Sequence, residues 1–459
     1  MIHDSKTVTR FAPSPTGHFH LGSARTALFN YLFAKQQNGA MLLRIEDTDA
    51  SRSRGEYETE ILQSLEWLGL SFDALFRQSE RGALYAKYLK KMLDTGSAYE
   101  SKEEREGETS TVIRFKNPKT PITFRDEIRG DISFETESLG DFVIARSLEN
   151  PLYHFAVVVD DFEMGVTMII RGDDHISNTP RHILLQRAIG APTPLYTHIP
   201  LVLSPDRSRL SKRHGAKSIL EYRDEGYLSR ALFNFLVLLG WSPQSVSSDI
   251  PEVLTEEEII RHFSISHVQK SAAIFNIEKL NWLNKEHMKK LTKEECAQRI
   301  RAFLPRELLA LGAHTDELFF RILPVISERI EKFSDIKRLW EEGELRYFFE
   351  TPEYEAGMLV WKDTKNSRET ALYIDNIIDK LSILPSSAFI PEEIKKTLWA
   401  FATEKGRGNV LWPMRYALSG KEKSPDPFVL ASVLGKDETI KRLKIAQEKL
   451  KTIKDEGAN

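Results

Sequence analysis

The sequence contains a single cysteine, Cys296, among its 459 residues. One cysteine excludes an internal disulfide and a thiolate metal cluster, and it is typical of a protein from a reducing compartment. Long hydrophobic runs are also missing, since the longest, Ala231–Trp241, is about half the length that crosses a bilayer and includes Asn234. The first ten residues hold no apolar segment of the kind found in targeting signals. These absences predict a soluble cytoplasmic protein without a membrane partner.

An excess of charge of one sign is absent as well, because 64 Lys and Arg residues face 67 Asp and Glu residues, a net charge of −3. This balance excludes a uniformly basic coat for nucleic acid, although it is compatible with a local basic face on an acidic body. The hydrophobic share of 41% is ordinary for a folded protein and excludes disordered and collagen-like classes. At roughly 100–200 residues per domain, the length predicts two to four domains.

Strand and helix patterns alternate over the first 95 residues. Val8–Ala12 and Met41–Ile45 predict short buried strands, while Leu21–Ala34 and Glu56–Leu68 predict helices with one apolar face. Such alternation predicts an α/β domain with a parallel sheet wound in Rossmann fashion.

The rest of the chain divides into regions with different predicted secondary structure. Residues 96–154 hold short strand-like stretches between charged turns, which predicts an inserted α+β unit. Strand signals return at Phe155–Val159 and Val166–Ile170, and Ile176–Ile189 continues the α/β pattern to about residue 220. From there the pattern is almost entirely helical. We therefore expect the Rossmann domain to be split into 1–95 and 155–220, with the insertion between them and a helical half after them.

The turn after the first predicted strand reads Pro-Ser-Pro-Thr-Gly over residues 13–17 and leads into His18, His20 and Gly22. Its prolines stiffen the turn, and its glycines allow a ligand to approach the backbone. The N-terminus of the following helix offers free N–H groups and a partial positive charge, which form an anion site. The two histidines could hold a metal, or one could donate a hydrogen bond to a phosphate. A proline-rich turn with a capping histidine is the alternative without a ligand.

A second glycine-containing loop, at residues 204–217, is strongly basic. It carries five Lys or Arg residues within eleven positions, from Arg207 to Lys217, together with serines suited to phosphate contact. Most charge runs are solvated surface loops, so this motif alone does not identify a site.

Together the two motifs resemble the signature elements of class I aminoacyl-tRNA synthetases. Residues 20–23, His-Leu-Gly-Ser, are similar to the HIGH element, and residues 209–213, Arg-Leu-Ser-Lys-Arg, are similar to the KMSKS element. Other segments resemble bacterial-type glutamyl-tRNA synthetases, in the order 10–17, 44–49, 78–81, 170–175, 270–276 and 413–420. The resemblance extends from Arg10 to about Leu443, nearly the whole chain.

This resemblance implies a monomeric ligase that attaches glutamate to tRNA(Glu) in two steps, through glutamyl-adenylate. The implied cofactors are ATP and Mg²⁺, with the metal held mostly by phosphate oxygens and water. No zinc is expected, because residues 98–105, in the region where some relatives carry a cysteine-rich zinc site, contain no cysteine. The implied fold adds an acceptor-binding role for the insertion, a helical stem-contact domain at 221–290 and a helical anticodon-binding cage at 291–459.

The resemblance also implies roles for individual residues. The implied catalytic residues are His20, Lys212 and Arg209, where Arg209 occupies a position that is usually Lys in the family. The implied ATP contacts are His20, Gly22, Ser23, Ser211 and Lys212.

The implied glutamate pocket is formed by Arg10, Ser14, Glu46, Tyr153 and Arg171. Arginine suits this task because its planar fork grips a carboxylate through two hydrogen bonds. No role is carried onto Val157, which stands where some relatives have Asn. On the helical half, Arg407 and Arg415 are implied as tRNA contacts.

Three alternatives stay open at this point. The enzyme could glutamylate tRNA(Gln) as well as tRNA(Glu), a choice that depends on a few anticodon contacts. A catalytically silent tRNA-binding relative is disfavoured by the intact His20, Lys212, Arg10 and Arg171. A general adenylyltransferase for a small acid would leave the long helical half without a purpose.

Overall fold

The computed structural model describes residues 6–49, 51–105, 108–208, 210, 217–310, 316–363 and 366–453. The chain forms two compact units, Met1–His287 and Met288–Asn459. Across the described residues, each helix is too short or too polar to span a bilayer.

The first unit contains both strands and helices. Its strands are β1 Val8–Phe11, β2 Ala40–Ile45, β3 Ala74–Arg77, β4 Ala98–Arg105, β5 Glu108–Phe115, β6 Ile122–Asp126, β7 Gly130–Phe134, β8 Phe142–Ser147, β9 Asn150–Pro151, β10 Met168–Gly172, β11 Leu195–Ile199, β12 Val202–Leu203 and β13 Ala273–Ile274. Its helices are α1 Leu21–Gln36, α2 Gly55–Leu68, α3 Gly82–Asp94, α4 Tyr153–Glu163, α5 Thr179–Ile189, α6 Ile219–Asp224, α7 Ser229–Leu238, α8 Glu256–His262 and α9 Ile277–Lys289.

The predicted Rossmann pattern is confirmed in a parallel three-stranded sheet with the order β1-β2-β3. A second sheet, with the order β10-β11-β6-β7, lies beside β1. The backbone N–H of Thr167 donates to the carbonyl of Val8 (3.0 Å), and the N–H of Val8 donates to the Thr167 hydroxyl (2.9 Å). The ends of β1, β2 and β10 consequently open on one cleft.

Part of segment 96–154 joins this second sheet. The hairpin β6–β7 pairs with β11, with Asp126 in parallel register with Tyr196. The other strands of the segment form an antiparallel sheet with the order β4-β5-β8-β9. The hairpin therefore places the end of β6 next to β11, and β11 in turn pairs with β10, whose end lies at the cleft.

The helices that flank the first sheet follow the predicted pattern. Helix α1 buries Leu21, Ala24, Leu28 and Leu32, the stripe expected from the sequence. Helix α2 ends at Gly69, which adopts a left-handed φ of 77°, a conformation that glycine reaches without a steric penalty.

The predicted strand at Phe155–Val159 is wrong, because these residues lie within helix α4. All five side chains are buried, at most 1% exposed, so this stretch of the helix is buried on every side. A fully buried helix reads as a continuous apolar run, which periodicity cannot separate from a buried strand. Since α4 is a helix, Tyr153 and Asp160 lie two turns apart on the same face.

The second unit is helical throughout its described residues, as expected for the second half. Its helices are α10 Lys293–Ala302, α11 Arg306–Ala310, α12 Asp316–Arg329, α13 Asp335–Glu341, α14 Ser367–Ile383, α15 Pro391–Lys405, α16 Arg407–Ser419, α17 Pro427–Leu434 and α18 Lys436–Lys451. Cys296 is buried in this unit as a free thiol.

Candidate functional site

A cleft of about 450 Å³ opens in the first unit at the ends of β1, β2 and β10 and at the N-terminus of α1. It brings together residues that are far apart in sequence. The predicted site residues that line it are Arg10, Ser14, His20, Gly22, Ser23, Glu46, Tyr153 and Arg171.

Other predicted site residues are not in the cleft. Arg209, Ser211 and Lys212 lie outside the described residues, so their roles stay predictions. Arg407 and Arg415 lie on α16 of the second unit. The Arg407 guanidinium stacks over the Trp399 ring, with its carbon 4.4 Å from the ring centre.

The turn before α1 is tied to the neighbouring elements by its backbone. The carbonyl of Pro13 accepts from the N–H of Glu46 (2.9 Å), and the carbonyl of Pro15 accepts from the N–H of Arg54 (3.0 Å). The carbonyl of Ser14 accepts from the N–H of Thr16 (2.9 Å). These bonds hold the stiff turn against the end of β2, so the exposed side chain of Ser14 stands at the cleft.

His20 caps α1. Its Nδ1 accepts from the backbone N–H of Ser23 (3.4 Å), and its Nε2 lies 3.4 Å from the Ser23 hydroxyl. A Cβ on Gly22 would lie 3.2 Å from the His20 ring, so glycine lets the ring fold over the first turn. The loss of surrounding water in the cleft lowers the pKa of His20. The ring is therefore neutral at pH 7 beside a helix N-terminus suited to phosphate.

The other histidine of the turn has a different partner. His18 Nδ1 lies 2.8 Å from Glu60 Oε2, and Glu60 Oε1 also accepts from the backbone N–H of Phe19 (3.0 Å). Within the described residues, no group of three His, Cys, Asp or Glu side chains is arranged to hold a metal ion. The separate partners of His18 and His20 favour the phosphate interpretation of this turn over the metal one.

Beneath the cleft, Arg44 is fully buried among acidic side chains. Its guanidinium contacts Glu46 Oε1 (3.1 Å) and Asp161 Oδ1 (2.7 Å). Arg10 donates from Nε to the same Asp161 oxygen (3.1 Å). Burial alone would raise the pKa of Asp161, but Arg10 and Arg44 together hold it below its ordinary value. Asp161 is thus an ionised bridge that fixes both arginines.

The pKa of Glu46 is shifted in the direction opposite to that of Asp161. Burial raises its pKa, even though Arg44 and Arg10 lie close enough to oppose the shift. The two arginines do not fully offset the cost of burying this carboxylate. A further cation bound beside Glu46 would therefore stabilise its ionised form. Glu46 therefore suits an ammonium ligand.

Asp160, for which the sequence analysis predicted no role, anchors the floor of this region. It accepts from Gln78 Nε2 (2.8 Å), Arg81 Nε (2.7 Å) and the hydroxyl of Tyr85 (2.8 Å). The signal that could have marked it is the pair of aspartates inside the apolar run at residues 155–162, because a charge in such a run must find buried partners.

Arg171, at the end of β10, is a buried cation without an acidic partner among the described residues. It is 5% exposed, and burial lowers its pKa. It donates instead to neutral acceptors, namely Thr179 Oγ1 (2.8 Å), His198 Nε2 (3.1 Å), His182 Nδ1 (3.1 Å) and the backbone carbonyl of His175 (3.3 Å). Tyr153, whose hydroxyl lies 3.3 Å from Nδ1 of His175, borders the same space.

An uncompensated guanidinium in a cleft is stabilised by an anionic ligand. The cleft therefore combines cationic groups for a carboxylate, Glu46 for an ammonium group and a helix N-terminus for a phosphate. These three features match an acidic amino acid bound next to a nucleotide.

The chain matches two family models that together cover most of its length. One is described as "tRNA synthetases class I (E and Q), catalytic domain" and matches residues 6–107 and 100–282. The other is described as "Anticodon binding domain" and matches residues 295–447.

Curated relatives and solved structures agree with these matches. The chain is 40% identical to a glutamate–tRNA ligase of Thermodesulfovibrio yellowstonii, over 95% of this chain and 98% of that one. It is 38% identical to a glutamate–tRNA ligase of Aquifex aeolicus, over 97% and 100%. A crystal structure of a glutamate tRNA ligase from Elizabethkingia meningosepticum, in complex with its amino acid, superposes with a TM-score of 0.84 at 32% identity, covering 98% and 100%.

Proposed function

Because the chain belongs to the class I tRNA synthetases of the glutamate and glutamine type, we propose that it attaches L-glutamate to tRNA(Glu) in a reaction driven by ATP. The observation that carries this proposal is the cleft in which buried Arg10 and Arg171, Glu46 and the N-terminus of α1 meet. It offers a complementary charge to the side-chain carboxylate and to the ammonium group of glutamate, and a helix N-terminus to a phosphate next to them.

In the first step, an oxygen of the glutamate α-carboxylate attacks the α-phosphorus of ATP. The bond from that phosphorus to the oxygen bridging the α- and β-phosphates breaks, so glutamyl-adenylate forms and pyrophosphate leaves. The carboxylate is already ionised at pH 7, so this step needs no general base. It needs the two substrates in line and a neutralised charge on the phosphates.

The N-terminus of α1 is suited to hold ATP. Its free N–H groups favour a phosphate. The neutral ring of His20, whose Nδ1 accepts from Ser23, can donate a further hydrogen bond from its other nitrogen. Gly22 leaves room for the nucleotide at the first turn. We assign Lys212, with Arg209 and Ser211, to the charge on the departing pyrophosphate.

The buried charges are suited to hold glutamate. We assign Arg10 and Arg171 to its side-chain carboxylate. A planar guanidinium such as that of Arg10 can donate two parallel hydrogen bonds to a carboxylate, and Arg171, most of whose N–H groups already have protein acceptors, adds its positive charge. Glu46 is assigned to the α-ammonium group, and Tyr153 and Ser14 complete the pocket wall. An amide side chain would leave the charge of Arg171 uncompensated, which disfavours glutamine.

Magnesium ordinarily accompanies ATP in this family. The described residues provide no cluster of three ligating side chains, so they do not fit a protein-built metal cage. Phosphate oxygens and water would hold the ion.

In the second step, a hydroxyl of the terminal ribose of tRNA attacks the glutamyl carbonyl carbon, and AMP leaves. We propose that segment 96–154 contacts the acceptor end, that 221–290 contacts the stem, and that 291–459 grips the anticodon. Arg407 beside Trp399 and the partly buried Arg415 combine positive charge with aromatic surface, which suits phosphates and unstacked bases. We further propose a cytoplasmic monomer, and the reducing environment of the cytoplasm would keep the buried Cys296 as a thiol.

The experiment that tests this function incubates the purified chain with glutamate, ATP and Mg²⁺, with and without tRNA(Glu). We expect glutamyl-tRNA, AMP and pyrophosphate in equal amounts when tRNA(Glu) is present. Tight binding of tRNA(Glu) without charging would contradict the proposal and support a silent relative. Parallel assays with tRNA(Gln) decide whether the enzyme discriminates between the two tRNAs.

A further inference from the structure

Two of the four hydrogen bonds that Arg171 makes with described residues depend on the protonation state of histidine rings, while the other two hold its Nη2 to the carbonyl of His175 and the hydroxyl of Thr179. A guanidinium only donates hydrogen bonds, so each of its partners must offer a lone pair. Nε of Arg171 points to Nε2 of His198 (3.1 Å), and Nη1 points to Nδ1 of His182 (3.1 Å). Both rings must therefore be neutral and must carry their proton on the other nitrogen.

Asp126, at the end of β6, determines where the proton of His198 lies. Its Oδ2 accepts from the backbone N–H of His198 (2.9 Å) and lies 2.8 Å from the ring Nδ1. Its Oδ1 accepts from the backbone N–H groups of Ile128 (3.0 Å) and Arg129 (2.8 Å). Four N–H groups thus converge on one carboxylate, which holds the proton of His198 on Nδ1 and leaves Nε2 as an acceptor.

The second ring has its own orientation. Because Nδ1 of His182 accepts from Arg171, its proton is on Nε2, which lies 3.1 Å from Nδ1 of His154. Desolvation by burial lowers the pKa of His198 to about 4 and that of His182 well below its ordinary value, so both rings stay neutral at pH 7. Asp126 and His198 are at most 1% exposed, so water does not offer an alternative partner.

We propose that Asp126 is a positioning residue for glutamate: through the fixed tautomer of His198 it aims the guanidinium of Arg171 into the cleft. This inference rests on the proposed function, because it takes Arg171 as a ligand of the substrate carboxylate. It assigns a part in substrate recognition to the hairpin β6–β7, which belongs to the segment predicted as an insertion.

The variant Asp126→Asn tests this inference. Both oxygens of Asp126 accept from N–H groups. An asparagine has one oxygen and one NH₂ group, so its NH₂ group must face N–H donors on one side. When the NH₂ group faces His198, the ring proton shifts to Nε2 and opposes the Nε–H of Arg171. We expect the KM for glutamate to rise about 10-fold or more, which is the effect of losing one hydrogen bond to a charged group. The KM for ATP and kcat should change less than about 3-fold.

The matched control is Asp73→Asn. Asp73, just before β3, also accepts a backbone N–H, that of Met41 (2.9 Å), but Met41 lies at the start of β2, the opposite end of that strand from Glu46. This variant should leave both KM values unchanged. If Asp126→Asn does not fold, His198→Asn replaces it, because that amide still donates to Asp126 but offers Arg171 no acceptor at the Nε2 position.

The design separates this inference from the proposed function. In the double variant D126N/R171Q the KM for glutamate should equal that of R171Q alone, because no guanidinium is left to position. Proportional changes in both KM values, together with a lower kcat, would identify Asp126 as merely structural and overturn the inference. If R171Q raises the KM and D126N does not, the inference alone fails, and if neither changes it, the assigned glutamate pocket fails as well.

Discussion

At the scale of single residues, the pocket is an arrangement of buried charges in which only some have a partner. Arg10 and Arg44 share Asp161, whereas Arg171 has only neutral acceptors and Glu46 has a raised pKa. The paired charges provide rigidity, and the incompletely paired ones provide the free energy for binding an ion of opposite sign.

The variant Arg171→Gln should raise the KM for glutamate about 10- to 100-fold, because charge-assisted hydrogen bonds to the substrate are lost. Steady-state charging of tRNA(Glu) at varied glutamate measures the effect. Arg187→Gln is the matched control, since Arg187 is exposed on α5 and is not among the residues that line the cleft. An unchanged KM in R171Q would remove Arg171 from the pocket.

The variant Lys212→Ala should slow pyrophosphate release about 100-fold, because a charge that acts on the transition state is removed. Binding of tRNA(Glu), measured by filter retention, should change less than about 3-fold. Equal losses in both measurements would contradict the role assigned to Lys212.

The sequence predicted the residues of this pocket better than their partners. Arg10, Glu46 and Arg171 stand in recognisable motifs, but Asp161 meets Arg10 across 151 positions of the chain, and Asp126 meets His198 across 72. Neither pattern nor composition encodes such pairings. Only the assembled sheet brings them together.

At the scale of elements, the site depends on where strands end and where helices begin. The sequence predicted β1, α1, β2 and α2 because each has a clear period and a turn at its end. It failed at α4, where burial on all sides erased the period, and it did not anticipate that β6 pairs with β11. Both failures concern elements whose surroundings, rather than their own residues, determine their form.

Gly22→Ala tests the first turn of α1 as an element of the ATP site. An alanine in a helix is favoured over glycine by about 1 kcal/mol, so the thermal stability should hold or increase. Its Cβ would lie 3.2 Å from the His20 ring and push that ring from its position over the turn. We therefore expect a KM for ATP raised about 10-fold with an unchanged or higher Tm. A lower Tm with an unchanged KM would contradict the assignment.

At the scale of the whole molecule, the net charge of −3 conceals an uneven distribution. Buried ion pairs and buried neutral histidines surround the cleft, while the second unit carries Arg407 against an aromatic ring. Composition therefore excluded a uniformly basic protein correctly, but it could not locate the cations that matter.

The histidines make the stability of the chain depend on pH. Burial lowers the pKa of His154 and His198 to about 4 each, below the ordinary value of 6.5. Between about pH 6.5 and pH 4 the unfolded chain binds more protons than the folded one, so stability falls as the pH falls. Each histidine contributes a slope of about 1.4 kcal/mol per pH unit.

Calorimetric unfolding between pH 7 and pH 4.5 measures this slope. The variant His154→Gln keeps an acceptor for His182 but cannot be protonated, so its Tm should decrease less steeply with falling pH. Parallel Tm curves for the wild type and the variant would show that His154 does not stay neutral in the fold.

The most direct measurement supplies labelled glutamate or labelled glutamine, with ATP and tRNA(Glu), to the purified chain and follows the label in precipitated tRNA. We predict that the glutamate label accumulates and the glutamine label does not, because the buried cation of Arg171, which donates only to neutral acceptors among the described residues, requires a carboxylate. Label from glutamine at a comparable rate, or no label from glutamate, would contradict the account.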